Sequence, residues 1–246
     1  MNRKPVWYLQ TDPRWKNLRF PCNGGTMSVG GGGCGPTSAA MLIETLTGKQ
    51  YLPPEALKWA CQRGYVTSGQ GTDYAYFKPQ FAAYDIRADM LTWTPCMSAA
   101  SAVRSRVEDM LRGGYYFIAL MKKGLWTSGG HYVVVWWADD RVRINDPAST
   151  AEARLNGDPT AFWSTAKYFW WVDARDFNKL KNEEEDEDVK RYQTLDEILE
   201  HAKWAYPTIK KLVERKVLGG TGSGLDVSED MLRTFVVNDR AGLYDR

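Results

Sequence analysis

The chain predicts an α+β fold, and three observations carry that reading. Apolar residues recur at helical spacing up to about residue 112, and strand patterns follow between residues 115 and 173. Six consecutive acids at residues 183–188 then divide both from a short last segment.

The first helix runs from Cys34 to Leu46 and stops at Gly48; a second, Pro54 to Arg63, ends at Gly64. A third starts on the N-cap Ser98, runs to Arg112 and ends at Gly113. The strand candidates are Tyr115–Met121, His131–Ala138, Arg141–Asp146 and Tyr168–Asp173, with Asp139-Asp140 turning the second into the third. The six acids that follow Lys181-Asn182 repel one another, and the run from 181 to 188 holds no apolar residue, so residues 181–190 read as a linker. The boundaries that follow are a first domain at 1–180 and a small all-α domain at 191–246. In the latter, Thr194-Leu195-Asp196-Glu197 is a capping box opening a helix to about Ala205. Pro207 starts a second helix that ends at Gly219-Gly220, and Ser228 caps a third with Met231, Leu232, Phe235 and Val236 on one face.

With 43% hydrophobic and 25% charged residues, the 246-residue chain has the composition of a soluble globular protein. Eleven Trp and thirteen Tyr are many; a core takes most of them and a groove some. The segment Met1 to Trp7 has no apolar signal core, and no run approaches the ~18 apolar residues of a membrane span. The expectation is a protein cytoplasmic when made, with no membrane span. Cys22, Cys34, Cys61 and Cys96 show neither CxxC pairing nor framework spacing, so free thiols are expected rather than a disulfide scaffold or structural zinc. No calcium-loop spacing occurs, and no metal or cofactor is expected.

The net charge of +2 conceals an asymmetry: residues 1–182 carry 22 basic against 15 acidic side chains, and residues 189–246 carry ten against nine. The basic first part suits an anionic partner such as a bacterial wall, and a dispersed solvated surface accounts for the charge equally well. No Lys/Arg stripe or known motif supports nucleic acid as the partner.

Chemistry centres on Cys34 in Gly31-Gly32-Gly33-Cys34-Gly35-Pro36. A thiol on the first turn of a helix meets unpaired N–H groups and the positive dipole end, and both stabilise the nucleophilic thiolate. A thiol nucleophile needs a base, usually histidine, and the chain has only His131 and His201. His201 lies in the capped helix beyond the linker, where a solvated or packing imidazole is expected. His131 follows Gly129-Gly130 and opens an apolar strand, so it is both fixed and reachable. If the strands flanking Asp139-Asp140 pair, the start of one lies beside the end of the other, and Asp146 can orient the ring.

Four segments also resemble the papain-like cysteine peptidases, in the branch similar to bacteriocin-leader (double-glycine) peptidases. They are Tyr8 to Trp15, Gly33 to Met41, Gly130-His131-Tyr132-Val133-Val134 and Asp146-Pro147-Ala148-Ser149, and they span about residues 5–175. The resemblance implies a papain-like fold with Cys34 as nucleophile, His131 as base and Asp146 as orienter. It also implies a Gln upstream of the Cys as oxyanion donor. Ser28, six positions before Cys34, does not fit that role; Gln10 does, with a longer insertion from Lys16 to Gly32.

The segment from Pro207 to Asp245 resembles small helical modules that follow amidase domains in phage lysins, and echoes the helix-loop-helix logic of surface-layer homology modules. It implies cell-wall binding, with homo-oligomerisation through its helices as the alternative. Together these features lead to the expectation of a phage- or prophage-type endolysin that cuts an amide of peptidoglycan after release from the cytoplasm. An intracellular peptide-maturing peptidase and a non-catalytic wall-binding or assembly protein are the rivals.

Overall fold

Strands whose residues are almost all apolar must bury both faces, and that requirement organises the first part of the chain. The computed structural model describes residues 2–91, 101–156, 159–178, 190–220 and 224–244. These fall into two compact units, residues 1–181 and 182–246.

The first unit is α+β. Its sheet has the antiparallel order β5-β9-β6-β7-β8, built from Ala88–Met90 (β5), Tyr115–Met121 (β6), His131–Ala138 (β7), Arg141–Asn145 (β8) and Ala166–Asp173 (β9). Tyr116, Ile118, Tyr132, Val134 and Trp170 belong to one core, shared with the helical half. Phe117, Val133, Val135 and Phe169 belong to another, closed by Val107, Leu111, Phe162 and Trp163. The last four come from Ser101–Arg112 (α5) and Pro159–Thr165 (α7).

The helical half comprises Val29–Gly32 (α1), Cys34–Thr47 (α2), Pro53–Gln62 (α3) and Phe77–Ala82 (α4). Helix α2 is central: it packs on β7 and α3 and buries an unbroken run from Gly35 to Ile43. Gly48 closes it in the left-handed conformation at φ 66°, and Gly64 follows α3 at φ 76°. At the end of α5 it is Gly114, at φ 96°, and not Gly113 that takes this conformation. The expected N-cap Ser98 lies outside the described residues.

Sequence reading did not find the hairpin Arg19–Cys22 (β1) with Gly25–Ser28 (β2), which occupies the supposed insertion. Asn23-Gly24 is a turn signal there, but Pro21 and the lack of apolar alternation hide the strands. Other short elements among the described residues of this unit include Val66–Thr67 (β3), Gly71–Thr72 (β4) and Glu152–Leu155 (α6).

The second unit holds Leu195–His201 (α8), Tyr206–Glu214 (α9) and Glu229–Arg240 (α10) around Ile198, Ile209, Leu212, Leu232 and Val236. The capping box forms as expected, with Thr194 Oγ1 accepting from Glu197 N–H at 3.2 Å and the Glu197 carboxylate accepting from Thr194 N–H at 3.3 Å. Ser228 caps α10 through Met231 N–H at 3.3 Å. The unit is not purely helical: Arg191–Tyr192 (β10) pairs with Val227–Ser228 (β11), because burying Tyr192 and Val227 brings their backbones together. The expected linker lies outside the described residues except for Lys190. No helix among the described residues is long and apolar enough to cross a membrane.

Candidate active site

Cys34 stands at the first position of α2, as its glycine-rich context suggests. Ser28 caps α1, its hydroxyl accepting from Gly31 N–H at 3.1 Å, and α1 passes into α2 through Gly33. A Cβ on Gly33 would overlap the Val29 carbonyl, so the turn that presents the thiol admits only glycine. Gly35 has a different reason: its Cβ would lie 2.8 Å from Thr72 Oγ1, so glycine lets α2 approach β4.

The β7–β8 hairpin has the register expected of an Asp139-Asp140 turn, with Ala138 opposite Arg141 and Val134 opposite Asn145. Both turn aspartates adopt positive φ, 50° and 53°. This register sets Asp146, the first residue past β8, near the start of β7, and His131 Nε2 lies 2.7 Å from Asp146 Oδ1. Asp146 is fully buried and His131 is 6% exposed. With Nε2 committed to the carboxylate, Nδ1 is the ring nitrogen left for the Cys34 sulfur, which the imidazole also contacts.

The carboxylate is held from several sides. Oδ1 also accepts from Ala148 N–H at 2.7 Å, and the Asp146 carbonyl accepts from Trp7 Nε1 at 2.9 Å. Arg154 Nε lies 2.9 Å from Oδ2, an ion pair without hydrogen-bond alignment. Arg154 is tied in turn to Trp126, whose carbonyl accepts from the guanidinium and whose Nε1 donates to the Arg154 carbonyl at 3.0 Å. Sequence reading found neither Arg154, Trp126 nor Trp7. No motif marks them: Trp7 and Trp126 reach the site through contacts distant in sequence, and Arg154, eight residues past Asp146, reaches it only because the chain folds back through α6.

Gln10 comes to the same place. Its N–H bonds the Pro147 carbonyl at 2.7 Å, and its Nε2 donates to the Gly30 carbonyl at 2.9 Å, next to the Cys34 loop. An amide carries two N–H donors, so one remains beyond the Gly30 bond. His201 lies in the second unit, exposed and 3.8 Å from Glu200.

Burial opposes ionisation of Cys34, but the hydrogen bond and charge of His131, with the N–H groups of Tyr132 and Gly35, outweigh it and bring the thiol below its ordinary value. Burial likewise opposes protonation of His131, yet Asp146 and Cys34 raise it to about 9. The thiolate forms as pH rises through the lowered Cys34 value, and the imidazolium is lost as pH rises through about 9, so the ion pair fills the interval between. Alkylation of Cys34 by iodoacetamide, followed by mass spectrometry, is expected to show one inflection below the free-thiol range and another near 9. His131→Ala should move the first up to the ordinary thiol range. A single inflection there in the unaltered protein would contradict the ion pair.

Cys34, His131 and Gln10 open onto one groove of about 800 Å³. The β1–β2 hairpin supplies one part of its lining and Ser68 to Thr72 another. Aromatic side chains mostly fill the core, as expected, and Tyr74 and Tyr132 reach the groove. Of the four cysteines, Cys22, Cys34 and Cys61 are free thiols, and Cys96 lies outside the described residues.

The profile of the Peptidase_C39 like family matches residues 9–171, which is most of the first unit and includes Cys34, His131 and Asp146. The chain belongs to the peptidase C39-like family. It is thus a C39-type cysteine peptidase with the α+β, papain-like arrangement in its first unit. No curated protein matches the chain. The C39-like match stops short of the second unit, which has its own core.

Proposed function

We propose that this peptidase is an endolysin-type hydrolase that cleaves an amide bond of bacterial peptidoglycan through Cys34, His131 and Asp146, with Gln10 as an oxyanion donor. The observation that carries the reading is the buried Asp146–His131 pair in contact with a helix-start thiol on an open groove. The Cys34 thiolate attacks the amide carbonyl, forming a C–S bond and a tetrahedral oxyanion. His131 gives its proton to the leaving nitrogen as the C–N bond breaks. Neutral His131 then takes a proton from water, the resulting hydroxide attacks the thioester, and the C–S bond breaks to restore the thiolate. Asp146 keeps the ring oriented and stabilises its cationic form throughout.

The oxyanion is met by the free Gln10 N–H and the Cys34 backbone N–H, the latter among the first-turn groups that lack an intrahelical acceptor. Gln10→Ala is expected to lower kcat by about 10²-fold with little change in KM. An equal rise in KM at unchanged kcat would assign Gln10 to substrate binding instead.

The second unit supports delivery to a wall. Of the exposed large apolar side chains among the described residues, most belong to it, including Trp204, Val217, Val237 and Leu243. Linking such a module to the peptidase raises its local concentration at the wall. Residues 189–246 alone are expected to sediment with purified Gram-positive walls. Failure to do so, with a mass in light scattering that rises with concentration, would assign the unit to self-association.

The overall reading is tested by turbidity loss of purified Gram-positive walls together with mass spectrometry of the released muropeptides. Clearing with a new amine and carboxyl terminus in the fragments is expected. Cleavage of free peptides with intact walls would instead indicate a peptide-maturing peptidase.

A further inference from the structure

The groove beside Cys34 carries Arg19, Lys122 and Lys167, and no carboxylate side chain lines it among the described residues. A substrate groove usually mixes signs, so an all-cationic lining is informative about what enters it. Asp146 is nearby but fully buried behind His131 and already paired with Arg154.

None of the three cations is neutralised by an acid among the described residues. Arg19 donates Nε and one Nη to Thr26 Oγ1 at 3.1 and 3.0 Å. Lys167 Nζ lies 5.3 Å from the Tyr168 ring centre, which leaves its charge intact. Lys122 follows β6, where its N–H bonds the Thr165 carbonyl at 2.8 Å.

The position of Lys167 is set by a local break in the sheet. Leu120 pairs with Tyr168 and Met121 with Ala166, so Lys167 between them has no partner on β6. Such a bulge turns a side chain out of the regular alternation and is a common device beside active sites. Here it lies one strand from the base, because Met121 is also the partner of His131. A regular β9 would have kept the residue in register with β6.

We infer that this groove selects substrates bearing carboxylates close to the scissile amide, with Lys167, Lys122 and Arg19 as the specificity-determining residues. Low-dielectric walls strengthen the field of unpaired cations, and ammonium and guanidinium groups meet carboxylates in charge-assisted hydrogen bonds. The inference rests on Cys34 hydrolysis as proposed above and narrows its substrate to an acidic peptide, such as a wall stem peptide with its free carboxyl groups.

Binding to full-length Cys34→Ala by isothermal titration calorimetry tests it without turnover. The probes are L-Ala-γ-D-Glu-L-Lys-D-Ala-D-Ala and the same peptide with both carboxyls amidated. The free acid is expected to bind about tenfold tighter or more, and the preference should weaken with added salt. Adding Lys167→Met and Lys122→Met should remove the preference, and Lys167→Arg should retain it. Thermal melts confirm that each variant is folded; should Lys167→Met unfold, Lys122→Met and the salt series decide the question. Equal affinity for the two peptides, tighter binding of the diamide, or no binding of either overturns the inference. Walls cleared by the unaltered protein alongside equal affinities would sink the carboxylate preference alone, whereas no clearing on any wall sinks the hydrolase reading itself.

Discussion

Cys34→Ala is expected to abolish hydrolysis, with the rate of the proposed wall clearing falling on the order of 10⁴- to 10⁶-fold. The size follows from the unit-like behaviour of a nucleophile and its base: without the sulfur no covalent intermediate forms, and His131 has no thiol proton to accept. Stability should change little, within about 1 kcal/mol, because the side chain is small and only half buried. The substitution also removes the thiolate's demand on its surroundings, which opposes folding where an active site is tuned for reactivity. Clearing rates and thermal melts of the two proteins check both statements. A variant retaining more than about one percent of the activity would exclude Cys34 as nucleophile.

Asp146→Ala is expected to lose both activity and stability, which separates it from the first case. Hydrolysis should fall about 10⁴-fold, since the imidazole loses the acceptor that fixes its orientation. The unfolding free energy should fall on the order of 3 kcal/mol, because Arg154 would face an empty site and Ala148 N–H would lose its acceptor. The guanidinium is the discriminating partner. Adding Arg154→Met to Asp146→Ala should recover part of the stability and none of the activity, since the unpaired charge goes but the orienter does not return. Denaturant melts of the two single variants and the double variant measure the coupling. Additive losses would mean that the ion pair contributes nothing to the fold. Full activity in Asp146→Ala would remove the residue from the catalytic array.

Much of this site is legible in the chain because its signals are local. A glycine run before an apolar helical pattern marks a helix start, and Cys34 takes that position. Two aspartates between apolar strands mark a tight hairpin, and a hairpin's register follows from its turn, so residues fifteen apart at His131 and Asp146 meet. The capping box at Thr194 and the cap at Ser228 are equally local. Less was visible where strands are short or atypical, as in β1–β2, or where a two-residue ribbon forms only because a core draws its flanks together.

What the sequence by itself determined is therefore a helix-start thiol, an imidazole and a carboxylate joined by one hairpin, and a division into two parts. The tertiary structure alone decided what surrounds them. Arg154 reaches Asp146 from α6, Gln10 reaches the Cys34 loop along an N-terminal segment bonded to Pro147, and a register shift in β9 places Lys167 on the groove. The physical reason is one of range. Caps, turns and periodicity are set by neighbours within a few residues, whereas ion pairs, groove linings and bulges depend on which distant surfaces the core brings into contact.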